Sequence, residues 1–228
     1  MRFVISQPPP TPYAIDYTAS FLIVCEGYGD ACFADAILER HNITNYQVGC
    51  PTQRTVGGEG RNNITKFLQA IATHPNAKLL RGIIVMIDAD EDSDGSFREA
   101  AAALTDAHFS PPATAYAASQ GTVPKTAIVL IPRNGTLGTL EHLLLDAAFD
   151  RDPTLRKCVD DFANCCGNVD GWPANKQAKM KLTASIAARC EELPSSSLAW
   201  IWNKNGNPIP IDSRHFDHLV GFFRDFSA

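Results

Sequence analysis

The sequence predicts an α/β fold with a mostly parallel sheet covered by helices on both faces. Three observations carry that expectation. The runs FLIVC (Phe21–Cys25), GIIVMI (82–87) and TAIVLI (126–131) are apolar at every or nearly every position, as strands buried on both faces are. Each run stops at polar, Gly or Pro residues and is followed by a segment with helical spacing. A weaker strand signal at 46–48 completes four β-then-α units, the alternation that builds a parallel sheet.

In chain order, 1–19 is proline-rich and is expected to run irregularly, with Pro8, Pro9 and Pro10 interrupting any apolar leader helix. After the first strand, Phe33, Ile37 and Leu38 fall on one face of a helix drawn from Asp30 to His41, with Asp30 available to cap it and Asn42 near its stop. The turn Gly57, Gly58, Glu59, Gly60 precedes a helix carrying Ile64, Phe67, Leu68 and Ile71. An acidic loop over 88–94 leads to an alanine-rich helix from about Ser96 to Ala107. Pro132 stops the last strand, and Gly138 and Thr139 introduce a helix over 140–149.

Beyond Asp152 the pattern becomes helical, over 153–166, 175–190 and 213–226, with loops rich in Gly, Pro, Ser and Asn. These divisions give an irregular segment 1–19, an α/β domain 20–151 and a helical appendage 152–228. The apolar cluster Leu219, Val220, Phe222, Phe223 and Phe226 is expected to dock the appendage on the sheet domain. Trp200 and Trp202 alternate around Ile201 in a strand-like pattern and suit core, docking or base-stacking roles.

Composition narrows the classes. With 228 residues, 45% hydrophobic and 20% charged, the chain can bury a sizeable core. No apolar run approaches the roughly 20 residues a bilayer span requires, so no membrane role is expected. Seven cysteines, odd in number and irregular in spacing, suit a reducing cytoplasm, and the adjacent pair Cys165 and Cys166 lacks zinc-ligand spacing. A net charge of −5 argues against a uniformly basic nucleic-acid coat without settling the partner.

Loops that leave the carboxyl ends of parallel strands form the functional rim of such sheets. Glu26 follows the first apolar run; Asp88 and Asp90 follow the second. If those strands are neighbours, three carboxylates reach one edge, and in an extended segment Asp88 and Asp90 point to the same side. Gathered carboxylates repel one another unless a proton or a hard cation such as Mg²⁺ or Mn²⁺ intervenes. Taken alone, 88–94 reads as an ordinary solvated turn; two acidic motifs in register on one rim favour a metal site.

The string FLIVCEGYGD, with Glu26, Gly27 and Asp30, resembles the first motif of TOPRIM domains, and GIIVMIDADEDSDG resembles the second, with Asp88 and Asp90 as its DxD pair. Their separation of roughly 60 residues and the intervening βαβ unit also resemble TOPRIM organisation. The Gly57 and Gly58 turn and the string IPRNGTLGTLEHLLLD are similar to small stand-alone relatives of the OLD nucleases, where Glu141 matches an acidic position. As a bare residue in the first turn of a helix, Glu141 equally serves the helix dipole.

The resemblance implies a Rossmann-like TOPRIM fold and a Mg²⁺- or Mn²⁺-dependent nuclease acting on DNA or RNA. Glu26, Asp88 and Asp90 would be catalytic, and Glu26, Asp30, Asp88, Asp90 and Glu141 would bind metal. Gly57, Gly58, Arg61 and Lys66 are candidates for phosphate contacts, although the glycines equally serve as a simple connection. His142 reads as a packing or surface residue. A module that binds nucleotide or nucleic acid through the metal without turnover is the alternative, and a protein partner or second copy is compatible with either.

Overall fold

The computed structural model describes residues 19–52, 56–167 and 169–228, so the irregular segment expected over 1–19 lies outside the described residues except for its last position. Four strands, β1 (Phe21–Cys25), β2 (Tyr46–Gly49), β3 (Gly82–Asp88) and β4 (Lys125–Ile131), form one parallel sheet in the order β2-β1-β3-β4. The α/β expectation holds, and the apolar runs are buried along their length.

Period-2 alternation sorts the strand side chains into two cores. Phe21, Ile23, Ile84, Met86, Ala127 and Val129 face one core, while Leu22, Val24, Ile83, Val85, Ile128 and Leu130 face the other. The second core is closed by α2 (Ile64–Thr73) and α3 (Ser93–Asp106). The first is closed by α1 (Tyr28–Arg40) and α4 (Leu140–Arg151), then extended by α5 (Pro153–Cys165), α6 (Ala174–Arg189) and α7 (Asp217–Ser227).

The helices after Asp152 therefore share a core with the sheet. Phe226 of α7 meets Phe21 edge-on at 5.9 Å, and the Tyr46 hydroxyl donates to the Phe223 carbonyl at 2.7 Å. Among the described residues, no helix is long and apolar enough to cross a membrane.

Several local expectations need correction. Helix α1 starts at Tyr28, two residues earlier than drawn, with Gly27 as N-cap; Asp30 caps it from the third helical position, accepting from the Gly27 N–H at 2.9 Å. Helix α3 starts three residues earlier than expected because the Asp92 side chain caps it, accepting from the Gly95 N–H at 2.8 Å; Asp94 is helical rather than part of a loose turn. Helix α7 is preceded by a separate 3₁₀ turn at Arg214–Phe216, whose first N–H groups are served by Ser213. No strand forms around Ile201: the Trp200 N–H bonds Ser197 and the Lys204 N–H bonds Ile201 in successive turns. Trp202 instead packs on Phe33 at 5.6 Å, and Trp200 is exposed.

Candidate functional site

The chain leaves β1 towards β2 on one side and returns to β3 on the other, so the sheet's switch point lies between β1 and β3. Crevices at such points, outside the carboxyl ends of the strands, are where open α/β sheets bind ligands. Cys25 pairs with Met86, which brings Glu26 and Asp88 out of adjacent strands onto one rim.

Four carboxylates share this rim electrostatically. Burial, with the negative charges of Asp30, Glu26 and Glu141, pushes Asp88 up to about 9. The Leu140 N–H at the start of α4 donates to Asp88 Oδ1 at 2.8 Å and opposes that rise only in part. Asp30 is raised to about 7 by burial and then by Glu26 and Glu141, although the Gly27 N–H donates to its Oδ2 at 2.9 Å. Glu141 lies in the first turn of α4, so its place suits the helix dipole while its charge also acts on Asp30 and Asp88.

Asp90 lies differently. Extended backbone ends before it: Asp90 has φ 51° and exchanges two backbone hydrogen bonds with Gly138, each 2.8 Å. Its carboxylate is held by two donors, Arg61 Nη2 on Oδ2 at 2.7 Å and Asn175 Nδ2 on Oδ1 at 3.0 Å. The DxD pair is thus divided, with Asp88 coupled to Asp30, Glu26 and Glu141 and Asp90 turned towards Arg61.

Arg61 ties these parts together. It follows Gly60, whose φ of 88° suits glycine and whose N–H donates to the Glu26 carbonyl at 3.1 Å. Its Nη2 also donates to the Asp88 carbonyl at 2.7 Å and to Glu26 Oε2 at 3.4 Å, while Nη1 reaches Ser96 Oγ at 3.0 Å and Glu99 Oε2 at 3.3 Å. The candidate phosphate ligand is therefore committed to the protein's own acidic groups.

The other candidates are less engaged. Gly57 adopts φ 87° in the turn between β2 and α2, and the Gly58 N–H bonds the Thr52 carbonyl at 3.3 Å. Lys66 is exposed on α2 and joins none of the ion pairs among the described residues. His142 serves the start of α4, its Nδ1 accepting from the Thr139 N–H at 3.1 Å.

Two contributors carry no mark in the sequence. Ser96 is buried and donates to the Ala89 carbonyl at 3.1 Å while accepting from Arg61. Asn175 comes from α6, 85 residues beyond Asp90, and no local pattern distinguishes it.

Among the described residues, no three His, Cys, Asp or Glu side chains converge closely enough to enclose an ion. The single nitrogen Nη2 of Arg61 bonds oxygens of Glu26, Asp88 and Asp90. The donor atoms a cation would meet at the rim are oxygens, and the negative charges of Glu26 and Glu141 add to burial in raising the proton affinity of Asp30 and Asp88. That is the kind of repulsion a hard divalent cation relieves, and the donor set is of the chemical type such a cation takes.

The chain belongs to a family described as a protein of unknown function, DUF3226, whose model matches residues 20–226. That match runs into α7, so the family unit includes the helices after Asp152 as well as the sheet. Neither a curated protein nor a solved structure matches the chain.

Proposed function

We propose that this chain is a Mg²⁺- or Mn²⁺-dependent enzyme that processes phosphodiester bonds in DNA or RNA, on a Rossmann-like TOPRIM fold similar to small stand-alone OLD-nuclease relatives. The observation that carries the reading is the placement of Glu26 and Asp88 at neighbouring strand ends beside the switch point between β1 and β3, within reach of the charges of Asp30 and Glu141. The family description carries no activity, so the nuclease class rests on this arrangement and on the two acidic motifs.

Glu26, Asp30, Asp88, Asp90 and Glu141 would hold the cation, which when bound polarises a phosphoryl oxygen and lowers the pKa of water. Around it, the chain's own groups have separable tasks. The Leu140 N–H fixes Asp88 through Oδ1, and the Gly27 N–H fixes Asp30 through Oδ2. Glu26, a quarter exposed, would accept a proton from an attacking water. Backbone N–H groups of the Gly57 and Gly58 turn and the Lys66 ammonium offer phosphate contacts from the β2 to α2 connection.

The seven cysteines are all free, which suits a reducing cytoplasm. The net charge of −5 leaves room for a protein partner or second copy to help position nucleic acid. One observation favours a second reading, a binding module without turnover: Arg61, the arginine bonded to the rim, is engaged with Glu26, Asp90 and Glu99 rather than free for substrate.

Cleavage of mixed DNA and RNA substrates with Mg²⁺ or Mn²⁺ separates these readings when wild type is compared with Glu26→Ala and Asp88→Ala. The enzyme reading expects cleavage by wild type that both substitutions abolish. Metal-dependent binding of the nucleic acid without cleavage supports the binding module, and cleavage undiminished in both variants overturns the assignment of this site.

A further inference from the structure

Helix α6 reaches the rim through its first turn, where Asn175 donates from Nδ2 to Asp90 Oδ1 at 3.0 Å. The next residue, Lys176, is exposed, and its ammonium lies 4.0 Å from the centre of the Trp172 ring. An indole paired with a cation thus stands one residue along the chain from a contact with the rim.

Trp172 is fixed at its backbone and partly open at its ring. Its N–H bonds the Val169 carbonyl at 2.9 Å, and Gln177 Nε2 donates to its carbonyl at 2.8 Å. Val169 is buried and Pro173 starts α6, so the chain on both sides is held. The side chain itself packs against neither of the two cores, whereas Trp202 packs against the first. A tryptophan that stiff, half-exposed and spared from the core is a stacking surface rather than a core filler.

A second cation meets the same junction. Gly138 exchanges two backbone hydrogen bonds with Asp90, each 2.8 Å, and the preceding loop, 133–137, is exposed at every position and closed by a bridge between Arg133 and Thr136. Asp90 therefore joins the loop that carries Arg133 to the helix that carries Lys176. Among the described residues, neither Arg133 nor Lys176 joins an ion pair. In a chain of net charge −5, cations left without acidic partners on two adjoining elements suit the phosphates of a polyanion. Exposed Glu91 and Asp170 stand close by in the chain, so charge alone does not hold the strand, and stacking supplies the larger share.

We infer that Trp172, Lys176 and Arg133 form a docking surface for single-stranded nucleic acid, in which an unpaired base stacks on the indole while the two cations meet phosphates beside the rim. This inference rests on the nucleic-acid reading above and narrows its substrate to single strands. A duplex keeps the faces of its bases stacked on one another, whereas an unpaired base of any kind offers a face to an aromatic ring. The helices after Asp152 then contribute to binding as well as to the core.

Fluorescence anisotropy of labelled oligothymidylate and oligouridylate tests it, read in chelator beside a duplex of equal length, on wild type, Trp172→Phe, Trp172→Leu and Lys176→Ala. Wild type should bind the single strands more tightly than the duplex. Trp172→Phe should keep most of that affinity, and Trp172→Leu, which keeps apolar bulk but no aromatic face, should lose about tenfold. Lys176→Ala should bind more weakly with a shallower dependence on salt. No single-strand binding by wild type, a duplex held as tightly as the single strands, or equal affinity in wild type and Trp172→Leu overturns the inference. Metal-dependent cleavage of single strands that Glu26→Ala abolishes and Trp172→Leu leaves intact also overturns it, with the catalytic reading standing. Strand binding that depends on Trp172 without cleavage by wild type upholds the surface and overturns the enzyme reading alone.

Discussion

Asp88→Asn should make the metal-free protein more stable at alkaline pH, although it removes a residue proposed as catalytic. Burial and the charges of Asp30, Glu26 and Glu141 push Asp88 up to about 9, against an ordinary value of 3.8. Because the folded-state pKa lies above the unfolded one, the folded protein retains a proton that the unfolded chain has released between roughly pH 4 and pH 9. Stability from this group is therefore full at acid pH and falls as pH rises through that window. Asp30, raised to about 7, adds a loss of the same sign that is complete by about pH 7.

Each pH unit separating the folded and unfolded values corresponds to roughly 1.4 kcal/mol, so carrying Asp88 to pH 8 costs on the order of several kcal/mol. For a chain of this size that is on the order of 10 °C in melting temperature. Asparagine imitates the protonated acid in shape and keeps an oxygen for the Leu140 N–H, so it should remove the loss without opening a void. The assay is a set of thermal melts in chelator from pH 5 to pH 9. Wild type should melt progressively lower with rising pH, and Asp88→Asn should run flatter, with the gap between them small near pH 5 and widening to pH 8. Added Mg²⁺ should raise the wild-type melt more at pH 8 than at pH 5. Coincident curves for the two proteins at pH 8 would rule out this linkage between Asp88 and stability.

Two further predictions concern the docking of α7 on the sheet. Gly82→Ala places a Cβ 2.6 Å from the Phe226 ring and 2.7 Å from the Phe21 ring, so overpacking should destabilise the protein by about 1–3 kcal/mol in urea denaturation. Tyr46→Phe removes the buried bond to the Phe223 carbonyl, which also accepts from Ser227 Oγ at 3.1 Å, so the loss should be only about 1 kcal/mol, with faster amide exchange in α7.

The strands are legible because a doubly buried parallel strand admits almost no polar residue; β1, β3 and β4 are written as continuous apolar runs. That β1 neighbours β3 is not written at any one place in the chain, and only this adjacency turns Glu26 and Asp88 into one rim. Local signals mislead about boundaries. Asp30 caps α1 from inside its first turn, accepting from the Gly27 N–H, so the helix begins at Tyr28, two residues before the capping side chain. The alternation of Trp200, Ile201 and Trp202 imitates a strand, but its backbone is consumed by successive turns.

The engagement of Arg61 is hidden because its partners Asp88, Asp90, Ser96 and Glu99 lie 27 to 38 residues away, beyond any helix or strand period. Asn175 is more remote still, on a helix outside the part of the chain that carries the acidic motifs.

Electron paramagnetic resonance of free Mn²⁺ in the presence of wild type and Asp88→Ala at pH 8 probes the acidic rim as a divalent-cation site with no other chemistry intervening. Wild type should remove Mn²⁺ from solution, and Asp88→Ala, still folded by circular dichroism, should lose at least tenfold in affinity, about 1.4 kcal/mol or more. Equal uptake by both proteins, or none by wild type, would contradict the metal site and leave the acidic loop as an inert turn on a structural α/β protein.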